Sequence, residues 1–279
     1  MFIKIGFDIA LTVSAPMALL YMLKVHPSRR ADLLGPEIIT VSPQMAVDEY
    51  VDGFGNLCAR VGVPGPPGAL QVTLRSEAII KDSGLPDEMD MTACQHDVAD
   101  LPAEALQFLL PSRYCDVDGE LLQFAWDRFG NTPPGALRVQ AICDFVHDHL
   151  RFDYLAARST RTASDGFRER TGVCRDFSHL AITLCRCMNI PARYTTGYLG
   201  DIRVPLVRLP MDFSAWFEVY VGGRWMTFDA RHNTPRIGRV VMARGRDACD
   251  VPITMAFGRN CLDRFDVVSH EVDAQGNAV

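Results

Sequence analysis

The sequence predicts an α+β protein on three observations: short β-type apolar runs over its first 110 residues, helical periodicity between residues 118 and 188, and clean strand alternation after residue 192. In the first part, the runs at 2–9, 18–25, 38–41 and 70–78 are separated by Pro, Gly and Asp turn signals. Asp52-Gly53-Phe54-Gly55-Asn56 reads as a tight connection between strands, and Val63-Pro64-Gly65-Pro66-Pro67-Gly68 as a rigid loop. The texture changes near Leu110-Pro111. One helical pattern then carries Leu121, Leu122, Phe124, Ala125 and Phe129, and a second, after Pro133-Pro134, aligns Leu137, Ile142, Phe145, Val146 and Leu150. The expected division is a β-rich N-terminal domain at residues 1–112 and an α+β core at 113–279 that ends in a β tail.

A chain of 279 residues, 48% hydrophobic and 22% charged, can bury a substantial core. Its net charge of −6, without a basic stripe, gives no electrostatic case for nucleic acid or an anionic membrane surface. Nine cysteines without framework spacing point to reduced thiols in the cytoplasm. The apolar stretch 9–23 resembles a signal-peptide core, but Asp8 precedes it, Pro16 interrupts it and no small-residue cleavage site follows. Cys185 and Cys187, like His147 and His149, sit two apart on expected helices and point about 200° apart, so neither pair chelates easily. No metal and no cofactor is expected. Self-association is left open.

The stretch Thr171-Gly172-Val173-Cys174-Arg175-Asp176-Phe177 holds a cysteine between a glycine and an amphipathic helix. Phe177, Leu180, Ala181, Leu184, Cys185 and Met188 recur at offsets of three and four, marking one buried face, and Pro191 ends the helix. Gly172 frees the backbone just before it. The Cys174 sulfur then lies near backbone N–H groups and the positive end of the helix dipole, which favour thiolate. The stretch alone is equally compatible with a small buried cysteine.

A second element supplies partners. Phe213, Ala215, Phe217, Val219 and Val221 alternate with Asp212, Ser214, Trp216, Glu218 and Tyr220, and Gly222-Gly223 reads as a two-residue hairpin turn. That turn opposes Val221 to Arg224 and makes position 214 a diagonal neighbour of Asp229, roughly 7 to 8 Å away on one face. A cysteine nucleophile needs a base, and the base needs an orienting acceptor. The register offers Asp229 as orienter and position 214 as base, yet 214 is serine.

Gly172-Val173-Cys174-Arg175-Asp176-Phe177, Phe213-Ser214-Ala215-Trp216-Phe217-Glu218-Val219-Tyr220 and Trp225-Met226-Thr227-Phe228-Asp229-Ala230-Arg231-His232-Asn233 together resemble the transglutaminase-like superfamily of papain-like folds, over roughly residues 113–245. The resemblance implies a cysteine-bearing helix packed on an antiparallel sheet, preceded by a β-rich domain. It also implies a peptide or protein substrate attacked at an amide by a thiolate, through an acyl thioester. Cys174 and Asp229 match the family's catalytic cysteine and aspartate, while Ser214 occupies the place of its histidine.

A serine hydroxyl cannot accept a thiol proton near neutrality, so activity is expected to be impaired. The alternative is a non-catalytic peptide- or protein-binding module on the same fold. His179, five residues beyond Cys174, is expected to pair with Asp176 or Arg175 instead of the thiol. His232 is expected to face away from Asp229 unless the chain bends after Ala230. Arg175 and Asp176 are expected to form a local ion pair. Trp216, Tyr220 and Tyr154 are candidate walls of a substrate groove, Tyr154 also as an oxyanion donor. His26 and His96 read as structural.

Overall fold

A computed structural model describes residues 1–65, 68–206 and 210–279. Pro66 and Pro67 of the expected rigid loop lie outside the described residues. The first strands are β1 (Phe2–Val13), β2 (Met17–Tyr21), β3 (Thr40–Ser42), β4 (Val47–Val51), β5 (Leu57–Val63) and β6 (Leu70–Lys81). The middle of the chain forms α1 (Ala103–Leu106), α2 (Glu120–Phe129), α3 (Ala136–His149), β7 (Arg151–Phe152), α4 (Ala163–Glu169), β8 (Thr171–Gly172) and α5 (Cys174–Cys187). Strands β9 (Ala192–Tyr198), β10 (Ser214–Val221), β11 (Arg224–Phe228), β12 (Val240–Gly245), β13 (Thr254–Ala256) and β14 (Asn260–Val272) follow.

Among the described residues these strands form three four-stranded sheets, ordered β14-β1-β6-β3, β13-β2-β5-β4 and β11-β10-β9-β12. The apolar stretch 9–23 is divided between β1 and β2, and buries Ile9, Leu11, Leu19 and Tyr21 in a core shared with Val61, Leu74 and Ile80. The first two sheets take their outer strands from the far end of the chain: β14 pairs antiparallel with β1, and β13 with β2. Such pairing across some 250 residues depends on tertiary packing that no local pattern encodes.

The third sheet carries the site. Its β10–β11 hairpin opposes Val221 to Arg224 and Phe217 to Phe228, the register that the Gly222-Gly223 turn predicts. Both glycines adopt left-handed φ, +61° and +77°, which a two-residue turn with primed geometry requires. On one side the sheet packs against α5. On the other, Tyr198 and Phe213 enter the first core, where the Phe213 ring meets Phe7 at 6.2 Å and Tyr198 at 5.0 Å.

The expected apolar stripe of α5 is fully buried, from Phe177 at 2% exposure to Leu180, Ala181, Leu184, Cys185 and Met188 at 0%. Burial extends all round the helix, because α2, α3 and α4 cover the faces that the sheet leaves open. Burying a large apolar side chain is worth about 1.5–3 kcal/mol. The modest helix propensities of Phe, Thr, Ile and Cys cost only tenths each, so packing decides this helix.

Candidate active site

Position 174 begins α5, and the local sequence explains how it is held. Asp176 Oδ2 accepts a 2.9 Å hydrogen bond from the Val173 N–H, one half of a capping box, and Val173 has no oxygen to complete the other. The same carboxylate meets Arg161 at 2.9 Å and Arg175 at 3.2 Å. The local Arg175–Asp176 pair therefore exists, but the buried Arg161, which also binds Glu169 and the Ala156 carbonyl, ties the helix start to the preceding loop. Glycine at 172 has a different cause from the expected backbone freedom. A Cβ there would lie 2.6 Å from the Asp176 Cβ. Gly172→Ala is therefore expected to displace Asp176 and cost about 1–3 kcal/mol, read as a lowered urea midpoint.

Cys174 is half-buried. Burial pushes its thiol up to about 11; Arg231 and the Ala215 backbone N–H oppose the rise, while the Asp212 and Asp229 carboxylates add to it. The dipole-favoured thiolate is thus outweighed, because desolvation and two anions act on the same sulfur. The backbone hydrogen bond places the thiol beside residue 215, and the charges of Asp229 and Arg231, from the segment after β11, reach it.

Asp229 is buried, and its four acceptor positions are filled. Oδ1 accepts from the N–H groups of Arg231 at 3.0 Å and His232 at 3.1 Å. Oδ2 meets His232 Nδ1 at 2.8 Å and the Arg239 guanidinium at 2.9 Å. Burial alone would raise this carboxyl, but Arg239 and His232 outweigh it and hold it well below the usual carboxylate range. Arg239 is also fixed by Asp87 at 2.8 Å and lies over the Trp216 ring, 4.9 Å from its centroid.

The other expected residues separate. Ser214 is 5% exposed, its backbone opposes Gly197, and its buried Oγ has no hydrogen-bond partner among the described residues. Trp216 does not wall a groove: it is 1% exposed, because its face of β10 is closed by Arg239. Tyr220 does not either. It stands six residues along β10 from Ser214, about 20 Å away in a strand, and packs with His96 and Trp225. Tyr154 lies in a short turn capped by Asp153 and is 38% exposed. Burial raises its hydroxyl, Arg231 lowers it and Cys174 raises it, so this ring lies within electrostatic range of the thiol.

His179 departs from expectation. Its Nε2 accepts from the Ala248 N–H at 3.1 Å and its ring stacks on Tyr114, so it contacts the loop after β12 and not Asp176. The Asp176 carboxylate is instead taken up by Arg161, Arg175 and the Val173 N–H. His232 departs as well. The strand stops at Phe228, the Asn233 N–H bonds the Asp229 carbonyl at 2.8 Å, and the resulting turn folds His232 back onto Asp229. Sequence reasoning missed Arg231, Arg239 and Asp212. Only Arg231 had a local signal, its place next to the aspartate motif.

Comparison with known proteins supports the family and the fold. A family described as the transglutaminase-like superfamily matches residues 126–230. An uncharacterized protein of Mycobacterium leprae is 32% identical over 227 residues, covering 78% of this chain and 79% of its own length. The chain belongs to the transglutaminase-like superfamily. An uncharacterized protein of Mycobacterium tuberculosis is 28% identical, covering 72% of this chain and 68% of its own. The crystal structure of a proposed cysteine protease from Cytophaga hutchinsonii superposes on this transglutaminase-like chain with a TM-score of 0.81 at 30% identity, covering 100% of this chain and 94% of that one. Among the described residues, no helix is long and apolar enough to cross a membrane.

Proposed function

We propose that this transglutaminase-like protein attacks amide bonds of peptides or proteins through a Cys174 thioester, as an acyltransferase or peptidase whose turnover is slowed by serine at position 214. The reading is supported by the setting of one sulfur, which begins α5, accepts from the Ala215 N–H at the start of β10 and feels the charge of the Asp229 carboxylate. A thiol with a pKa near 11 is almost entirely protonated at pH 7, so turnover depends on removing its proton during attack. The odd, unpatterned cysteine count supports a reducing, cytoplasmic setting for such chemistry.

Turnover of a glutaminyl peptide, followed as the hydroxamate formed when hydroxylamine takes the acyl group from the thioester, is expected to be slow in the wild-type protein and absent in Cys174→Ala. Equal turnover by the two would sink the reading. Peptide binding with no turnover in either would favour the non-catalytic module instead.

A further inference from the structure

We infer that His232 is the group that removes the Cys174 proton, taking the part that the serine at 214 leaves vacant. The assignment rests on Cys174 being the nucleophile and deepens that reading by naming its base.

A general base of this kind needs one ring nitrogen fixed by an acceptor and the other free to take a proton. His232 meets both conditions. Its Nδ1 lies 2.8 Å from Asp229 Oδ2, and among the described residues its Nε2 has no hydrogen-bond partner. The side chain is 23% exposed, so it is sheltered but open to solvent. Asp229 has no acceptor position to spare for another imidazole, since Arg231, His232 and Arg239 use all four. The orienting carboxylate of this chain therefore serves residue 232.

The turn that carries the imidazole is held by hydrogen bonds, and its Arg231 acts on the thiol. The Asn233 N–H closes it on the Asp229 carbonyl, and His147 of α3 bonds the carbonyls of Ala230 and Arg231 at 3.3 and 2.9 Å. Arg231, from the same turn, rests on the Phe152 ring at 3.8 Å and acts on both Cys174 and Tyr154. Charged and titratable groups surround His232 from the neighbouring elements: Asp229 and Arg239, Asp87 behind Arg239, Arg231 on the turn, and His147 and Asp144 from α3, while Cys174 and Asp212 act on Arg231 of the same turn.

The step balances without any further reactant. As Sγ bonds the amide carbon, its proton passes to Nε2 and the carbonyl π pair moves to oxygen. Collapse of the tetrahedral species breaks the C–N bond, and the imidazolium returns that proton to the leaving amine. Water, or a second amine, then opens the thioester while giving its own proton to Nε2, and the thiol is re-formed.

The test measures acylation of the full chain by p-nitrophenyl acetate, as the initial release of p-nitrophenolate against pH. The wild-type rate is expected to show a base-assisted limb at neutral pH, far below the thiol's own pKa of about 11. His232→Asn keeps a donor for Asp229 but carries no base. It is expected to lose that limb and to acylate about 10²-fold more slowly at pH 7. Identical profiles for wild type and His232→Asn overturn the assignment. The wild-type profile decides even if the variant fails to fold, because a rate that climbs only toward the thiol's own pKa of about 11 also overturns it. Undiminished acylation in Cys174→Ala overturns the nucleophile itself, which is separable from the loss of His232 alone.

Discussion

Ser214→His is expected to raise amide turnover at pH 7 by about 10²-fold or more, within the 10²–10⁴ that acid–base assistance typically contributes. Residue 214 immediately precedes the Ala215 N–H that acts on the Cys174 sulfur, so an imidazole there starts beside the proton it must take. Its second nitrogen needs Asp229 Oδ2, which His232 and Arg239 now share. The half-exposed His232 should yield, because the Arg239 side chain is only 6% exposed and is held from its other side by Asp87. The two histidines are therefore coupled. His232→Ala should be costly in the wild-type background and nearly silent in Ser214→His, a departure from additivity that a double-mutant cycle in kcat/KM reads directly. The larger side chain enters a buried position and is expected to lower stability by about 1–3 kcal/mol, so folding is checked by urea titration first. A folded Ser214→His protein with no gain in turnover would refute the placement of 214 beside the thiol.

The parts of this site that were legible in the sequence are those fixed by local chemistry. The periodic apolar positions of α5 and the Gly222-Gly223 turn each specify geometry within a few residues, and both appear in the structure as read. His232 was misread because alternation was extended past Phe228, where the strand ends and Asp229 binds the next N–H groups to make a turn. A short Asp-x-x-His segment after a strand is the cue for that bend, since an aspartate readily accepts bonds from its own following backbone. Trp216 was misread for a different reason. Its face of β10 is covered by Arg239, which approaches through a loop that no pattern in β10 announces. The β character of the C-terminal tail was evident, whereas its pairing with β1 and β2 required the folded core.

Arg239→Met is expected to lower stability by about 3–5 kcal/mol at pH 7, because it keeps volume but leaves the buried Asp229 and the partly buried Asp87 without their shared cation. The loss should depend on pH in a defined sense. In the wild-type protein the Asp229 carboxyl lies well below its unfolded value, since Arg239 and His232 overcome the burial that would raise it. Its contribution is therefore present above the unfolded carboxyl range near about pH 4 and is lost only as pH falls toward the depressed folded value. Without the guanidinium, burial is left less opposed and the folded pKa rises. Protonation then relieves the variant where it does not yet touch the wild type, so the stability difference should be largest near neutrality and shrink as pH drops toward 4. Urea midpoints of the two proteins at pH 7, 5.5 and 4.5 measure this. A difference that stays constant over that range would mean that Arg239 acts through its packing on Trp216 and not through its charge.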